Sequence, residues 1–582
     1  MSSSIPPAQD RLPIERKVCV RRKDGTLSEP EPISHYGAMH AWVLIGNPGA
    51  GKTDAFLARS EAEGGDYISA RDFVELDLPP APHPLLFIDG LDEISAGTAM
   101  GFTALGQIRT KLQKLGMPKF RISCREADWR GNTDSEALQR LVGENNFLEL
   151  HLEPLDSQQI EALVAHWQGS NAPAAAAFIK DAERHDLEGL LDNPQTLRML
   201  VEATASGWPA SKTQTYEMAC AKLVQEHNDQ WLAVTRETVQ PDDELLRAAG
   251  YLCALMLLSG GSSIALQRPG GSQQGMVALP ELPTSASSPA MASCQAALHT
   301  RLFKGNGSGQ FFPAHRTVAE YLAAHYLAKR INDGLPSKRL LALMLGEDAG
   351  VVPELRGLHA WLAAIATGNL RTELIDRDPL GVILNGDVRS FTRSEKLRVL
   401  DALSDEAKRY TYFRTQSWDS QSFGALATAN MEEDFRSLLR LADRNPAHLA
   451  LVDCVLDALA HGQSMPGLKT ELEQVVRDAS YWSGSRTEAS RILTALERRD
   501  GEWPVSRQLL ADIHNGKVED SEDELLGTLL SALYPGQLLP AEIWSYFRKP
   551  KSDSLLGSYW RFWHDLSDKN APDDDIPILL DA

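Results

Sequence analysis

At 582 residues the chain is long enough for about three to five domains, and a hydrophobic share of 43% can fill ordinary globular cores. A net charge of −21 argues against sequence-independent nucleic-acid binding as the main task, although a local basic patch is compatible with it. Six cysteines without CxxC spacing, no signal core, and no apolar stretch longer than Tyr251–Gly260 fit a soluble, cytoplasmic chain with no membrane partner.

Residues 1–38 are polar, with prolines at 6, 7 and 13 and one strand-like piece from Lys17 that ends at the Asp24-Gly25 turn. They form an N-terminal extension too small for an effector domain. The expected core spans 39–150. Its first strong signal is the apolar run Ala41–Ile45, which predicts a buried strand. GNPGAGKT at Gly46–Thr53 fits G-x-x-x-x-G-K-[ST], and the residues after Thr53 predict a helix. Strand, glycine-rich turn and helix let loop N–H groups and a helix N-terminus converge on phosphates. Gly46, Gly49 and Gly51 allow close backbone approach, and Asn47, Pro48, Ala50 and Asp54 complete the nucleotide-contacting stretch. Lys52 supplies a point charge to the outer phosphates, and the Thr53 hydroxyl is a candidate Mg²⁺ ligand.

The next interval is short, with room for one helix and one strand, Asp66–Phe73. Leu85–Ile88 then predicts a buried strand presenting Asp89 at its carboxyl end, where a carboxylate can hold the metal. Past the Gly90 turn, Asp92 and Glu93 are candidates to orient or deprotonate an attacking water. An ordinary core strand ending in a solvated acidic turn is the bland alternative. A third strand, Lys119–Cys124, ends in Arg125. In P-loop sheets of the additional-strand type such a strand lies between the other two, and Arg125 is the candidate γ-phosphate sensor. A surface salt bridge to Glu126 or Asp128 is the competing role, and Cys124 reads as a small buried residue. The guanine-specifying N-K-x-D signature is absent, so ATP/ADP is the expected nucleotide.

Helical patterning runs from Asp156 to Leu258, with breaks at Gly169–Ala172 and Ser206–Pro209. Within it, Pro194 follows Asn193 as a helix-start proline after an N-cap. Residues 259–292 are rich in Gly, Ser and Pro and predict a long loop. LHTRLF, the KGNGSG turn and QFFPAHR then predict a hairpin, in which Arg301 and Lys304 are too few to track a phosphate backbone. From 335 to 582 the pattern is helical with no fixed repeat length, predicting irregular HEAT-like helix pairs that bind a macromolecule. The aromatic group Tyr559, Trp560, Phe562 and Trp563 reads as core, and the tail DDDIPILLDA as lacking a capping helix.

DGLDE at Asp89–Glu93 resembles the NACHT branch of the STAND signal-transduction ATPases, which include animal inflammasome receptors and bacterial anti-phage proteins. Leu152–Trp167 resembles the start of that family's helical domain. Gly189–Leu200 resembles the segment whose proline packs on adenine, here Pro194, and Phe311–Ala328 resembles the end of its winged-helix domain. There His315 falls where relatives set a histidine against the β-phosphate of ADP; a histidine capping the following helix is the alternative. The likeness covers about residues 40–330, and the Lys52–Asp89 interval is short for the family. It implies an α/β P-loop NTPase core (39–150), a helical domain (151–245), a winged-helix domain (246–334) and an α-helical, HEAT-like sensor region (335–582). It further implies a slow ATPase that closes on ADP and self-oligomerises when ATP and a trigger bind, in anti-phage defence. No effector motif is visible, so a separate effector protein or further C-terminal sequence is expected, because relatives continue further. Two other classes compete: an AAA+-like mechanical ATPase, for which no arginine finger or pore residue is identifiable, and a nucleotide-regulated scaffold or transcriptional regulator, for which the acidic tail offers no basic recognition helix.

Overall fold

The apolar run at residue 41 becomes the centre of a seven-stranded sheet among the described residues. The computed structural model describes residues 12–21, 28–46, 50–76, 84–91, 104–125, 129, 132–168, 172–184, 191–204, 207–209, 211–225, 241–267, 276–283, 288–305, 309–346, 349–413, 420–441, 443–551, 557–566, 571–572 and 575–581. The strands are β1 (Lys17–Val20), β2 (Glu31–Pro32), β3 (Ala41–Gly46), β4 (Asp66–Ser69), β5 (Leu85–Asp89), β6 (Lys119–Arg125) and β7 (Phe147–Leu152), in the order β2-β1-β7-β3-β6-β5-β4. β7, β3, β6, β5 and β4 run parallel, while β1 is antiparallel to β7 and to β2. Every residue of β3 and β5 is buried, because helices cover both faces of this part of the sheet; that is why these strands read as unbroken apolar runs.

On one face lies α1 (Lys52–Glu63). Its Phe56 ring meets Trp42 of β3 at 5.6 Å and Phe87 of β5 at 5.5 Å, both edge-on. Such aromatic pairs contribute about 0.5–1.5 kcal/mol each beyond burial, and here they fix the height of α1 beneath two strands. On the other face Ile108, Leu112 and Leu138 pack with Val43, Ile45, Ile88 and Ile122. The Arg121 side chain is wholly buried on the α1 face. It donates to the carbonyls of Gly37 (2.9 Å) and His40 (3.1 Å), stacks on Trp42 and lies 3.6 Å from Glu63.

Three local expectations are corrected. The 1–38 segment is not separate from the core, since β1 and β2 extend the same sheet. Lys17 also bonds Asp156 at 2.7 Å, tying β1 to the helix Ser157–Trp167. The expected strand Asp66–Phe73 stops at Ser69, whose hydroxyl accepts the Asp72 N–H at 3.0 Å and caps α2 (Ala70–Glu75). The 259–292 loop contains β8 (Ser263–Ala265) and β9 (Met276–Ala278), which pair in parallel and join the hairpin β10 (Phe303–Gly305) and β11 (Gln310–Pro313) in the order β10-β11-β8-β9. Three-residue strands are too short to show a period.

The chain divides into two compact units, Met1–Gly346 with Val352–Ile365, and Glu347–Val351 with Ala366–Ala582. The helix Arg356–Ile365 therefore belongs with the first unit, later than the expected boundary at 334. Its Trp361 ring sits 4.8 Å from Tyr216 and 5.2 Å from Tyr321, which explains the shift. In the second unit ion pairs join helices near in the chain: Arg393–Asp434 at 2.6 Å links two consecutive α-helices, while Arg440–Glu471 at 2.5 Å, Arg477–Asp512 at 2.9 Å and Arg507–Glu542 at 3.6 Å each reach across one intervening helix. The acidic tail is not free of helix, because Ile576–Asp581 is helical and the preceding Asp575 accepts the Tyr534 hydroxyl at 2.9 Å. Tyr559 and Phe562 are buried, whereas Trp560 is exposed. No described helix is long and apolar enough to cross a membrane.

Candidate nucleotide site at the carboxyl edge of the sheet

Parallel register brings the ends of β3, β6 and β5 to one edge, with Gly46 opposite Arg125 and Ile88 opposite Ile122. β6 thus lies between β3 and β5. Asn47, Pro48 and Gly49 lie outside the described residues, as do Asp92 and Glu93. Ala50 and Gly51 follow, and Gly51 caps α1 with φ of 86°, a left-handed conformation that favours glycine. A Cβ at Gly51 would stand 2.7 Å from Leu12 Cδ1 and 3.8 Å from Pro194 Cγ. The position therefore admits only glycine without movement, and Leu12, which carries no motif, is brought against it.

Lys52 opens α1 and donates to the Gly46 carbonyl at 2.7 Å, so its ammonium bridges the two ends of the turn. Thr53 is exposed at the helix N-terminus, and Asp54 is the acidic residue of the first turn. Asp89 is buried and projects to the α1 face, the face of Phe87 two residues before it. Its Oδ2 accepts the Tyr67 hydroxyl at 2.9 Å, and its Oδ1 accepts the Ser123 hydroxyl. Ser123 Oγ also accepts the Gly90 N–H at 2.8 Å. Neither Tyr67 nor Ser123 belongs to a recognisable motif; their roles come from strand pairing.

Thr53 and Asp89 are oxygen donors, the chemistry that suits Mg²⁺, which is usually held by one or two protein groups with water and phosphate oxygens completing its shell. Among the described residues no group of three or more His, Cys, Asp or Glu side chains could cage a metal alone. The donor set fits a cation brought in with phosphates.

Of the later segments of the first unit, Pro194 meets this edge at Gly51, and two more gather around neighbouring Asp192. Pro194 is buried at the start of the helix Pro194–Ala203, behind Asn193, whose Oδ1 accepts the Gln195 N–H at 3.0 Å. Asp192, just before it, pairs with Lys304 of β10 at 3.6 Å. His315 caps the helix Arg316–Asn332 in extended backbone. Its Nδ1 lies 2.7 Å from Thr317 Oγ1 and accepts the Thr317 N–H at 3.4 Å; Thr317 Oγ1 in turn accepts the Tyr216 hydroxyl at 2.9 Å. With Nδ1 an acceptor, the ring proton resides on Nε2. Burial lowers the His315 pKa, nearby Asp192 raises it and Lys304 lowers it, with burial dominant, so the imidazole is neutral near pH 7. The capping role and a neutral N–H donor on Nε2 are compatible in one ring.

No family model matches the chain, and no curated protein matches it at a significant level.

Proposed function

We propose that this edge binds ATP and ADP and that the chain is a slow, switching ATPase similar to bacterial NACHT immune receptors. The observation that carries the reading is the junction at Gly46–Lys52, where a buried parallel strand leads through a left-handed glycine into a helix while a parallel strand two positions away presents Asp89. In this reading the first unit holds a P-loop NTPase core of the additional-strand type, a helical domain and a winged-helix domain around β8–β11. The second unit is a HEAT-like sensor for a protein or other macromolecular trigger.

Within the site, α1 N–H groups and Lys52 bind the phosphates, and Pro194 with Leu12 lines the approach to Gly51. Arg125 stands at the tip of β6 to read the γ-phosphate, and Asp92 or Glu93 orients or deprotonates water. Thr53 and Asp89 would hold a Mg²⁺, which would supply neutralisation of charge developing on the phosphates. His315 Nε2 donates to the β-phosphate of ADP and keeps the domains closed. A trigger that binds the open form several kcal/mol more tightly releases the closure, and ATP-bound copies self-associate in the cytoplasm to engage a separate effector in anti-phage defence.

Denaturing the purified protein and identifying the released nucleotide tests the reading. Near-stoichiometric ADP with almost no steady-state turnover is the expected result. An empty site with brisk ATP turnover would instead indicate a mechanical ATPase. His315→Ala is expected to speed ADP release by about tenfold, the worth of one hydrogen bond to a charged phosphate, measured with a fluorescent ADP analogue. Unchanged release would remove His315 from the closure.

A further inference from the structure

Asp89 is held from both sides: each of its oxygens accepts a hydroxyl hydrogen bond from one of the two flanking strands. Tyr67 reaches it from β4 at 2.9 Å and Ser123 from β6. Ser123 is almost completely buried, and the same Oγ accepts the Gly90 N–H at 2.8 Å, so one hydroxyl fixes both the carboxylate and the turn that follows it. Gly90 has φ of 82°, so the chain turns sharply at the point where Ser123 grips it. The two carboxylate oxygens offer about four acceptor directions, of which the hydroxyls use two. Among the described residues the remaining directions are open to a water or cation on the α1 side, where Lys52 and Thr53 open the helix.

From this geometry we propose that Ser123 and Tyr67 are positioning residues that lock Asp89 into the orientation needed to receive the metal of a metal–nucleotide complex. The inference rests on the nucleotide reading above and adds a role for two residues outside its motifs. A carboxylate free to rotate about its side-chain torsions must be ordered when a metal arrives; one already clamped from both sides is not. The clamp also couples the tip of β5 to β6, two residues before Arg125, so a change at one strand tip is felt at the other.

A merely structural role would make the hydroxyls matter for folding and not for the metal. The test separates these by measuring ADP affinity calorimetrically in EDTA and in Mg²⁺ for the full-length wild type and for Tyr67→Phe, Ser123→Ala, Ser123→Thr and Lys52→Ala. Supporting groups behind a metal ligand are worth about 10–100-fold in metal affinity, so Tyr67→Phe and Ser123→Ala should each lose about tenfold of the Mg²⁺-dependent gain. Their affinity in EDTA should match the wild type, and Ser123→Thr, which keeps the hydroxyl, should restore the gain. Tyr67→Phe leaves the ring in place, so its folding is not in question if the buried Ser123 variant proves unstable. A full Mg²⁺-dependent gain in Tyr67→Phe and in Ser123→Ala overturns the clamp while leaving the nucleotide site intact. A wild type that binds no nucleotide in either buffer, like Lys52→Ala, overturns the site and the clamp together.

Discussion

Lys52→Ala is expected to leave the protein without detectable bound nucleotide. The Lys52 ammonium is held by the Gly46 carbonyl at 2.7 Å, across a turn whose two ends are set by a buried strand and an aromatic-packed helix. It is therefore pre-positioned, and phosphate oxygens can replace the carbonyl without the side chain being ordered anew. Each charge-assisted hydrogen bond is worth about 1.5–3 kcal/mol, so losing two weakens binding by roughly a hundredfold to ten-thousandfold. Calorimetry with Mg²⁺–ADP and analysis of the nucleotide carried through purification measure the loss. Lys52→Arg should not recover it fully, since a planar fork does not occupy the place of a compact ammonium. Wild-type affinity in Lys52→Ala would remove the phosphate reading of the turn.

The second large effect is on stability. Arg121→Met should destabilise the first unit by about 3–5 kcal/mol, the range seen when one member of a buried charged network is deleted. Its guanidinium satisfies the Gly37 and His40 carbonyls, stacks 4.9 Å from the centre of the Trp42 ring and faces Glu63. Burial pulls its pKa down to about 10 and Glu63 pulls the other way, so the group remains charged at neutral pH. Methionine would fill much of the volume but take the guanidinium N–H away from the Gly37 carbonyl and leave the His40 carbonyl with only the Phe120 N–H, at 3.1 Å. Urea unfolding followed by far-ultraviolet circular dichroism would read the change as an earlier first transition. An unchanged transition would mean that water or another donor replaces the guanidinium at no cost.

The parts of the fold that were legible share one property: a strong local signal. β3 and β5 were readable because parallel strands covered on both faces are continuously apolar, β6 because Phe120, Ile122 and Cys124 alternate with polar residues, and α1 because the glycine-lysine turn announces a helix start. The β10–β11 hairpin was readable from its turn. What stayed hidden depends on register or on partners far along the chain. Lys17–Val20 looks like any short strand until it pairs with β7. Ser69 could continue a strand or cap a helix, and its bond to Asp72 decides the matter. Tyr67 and Ser123 acquire a role only when β4 and β6 are laid on either side of β5. Leu12 gains one only when it meets Gly51.

The helical unit shows the same lesson with charges. No apolar repeat is visible, yet several hydrogen-bonded ion pairs join residues separated by 41 positions for Arg393–Asp434, 34 for Arg444–Asp478 and 35 for Arg477–Asp512. The spacing is that of one helix pair and its loops, and it is carried by surface arginines rather than by a core pattern.

Each of those cross-links spans about one helix pair, which bears on how the second unit was able to change over time. A part that touches only the part before it and the part after it can be duplicated or deleted as a module, provided the arginine and the acid at the new junction still meet. Unfolding should likewise spread from module to module instead of collapsing at once, with the ends exchanging amide hydrogens before the middle.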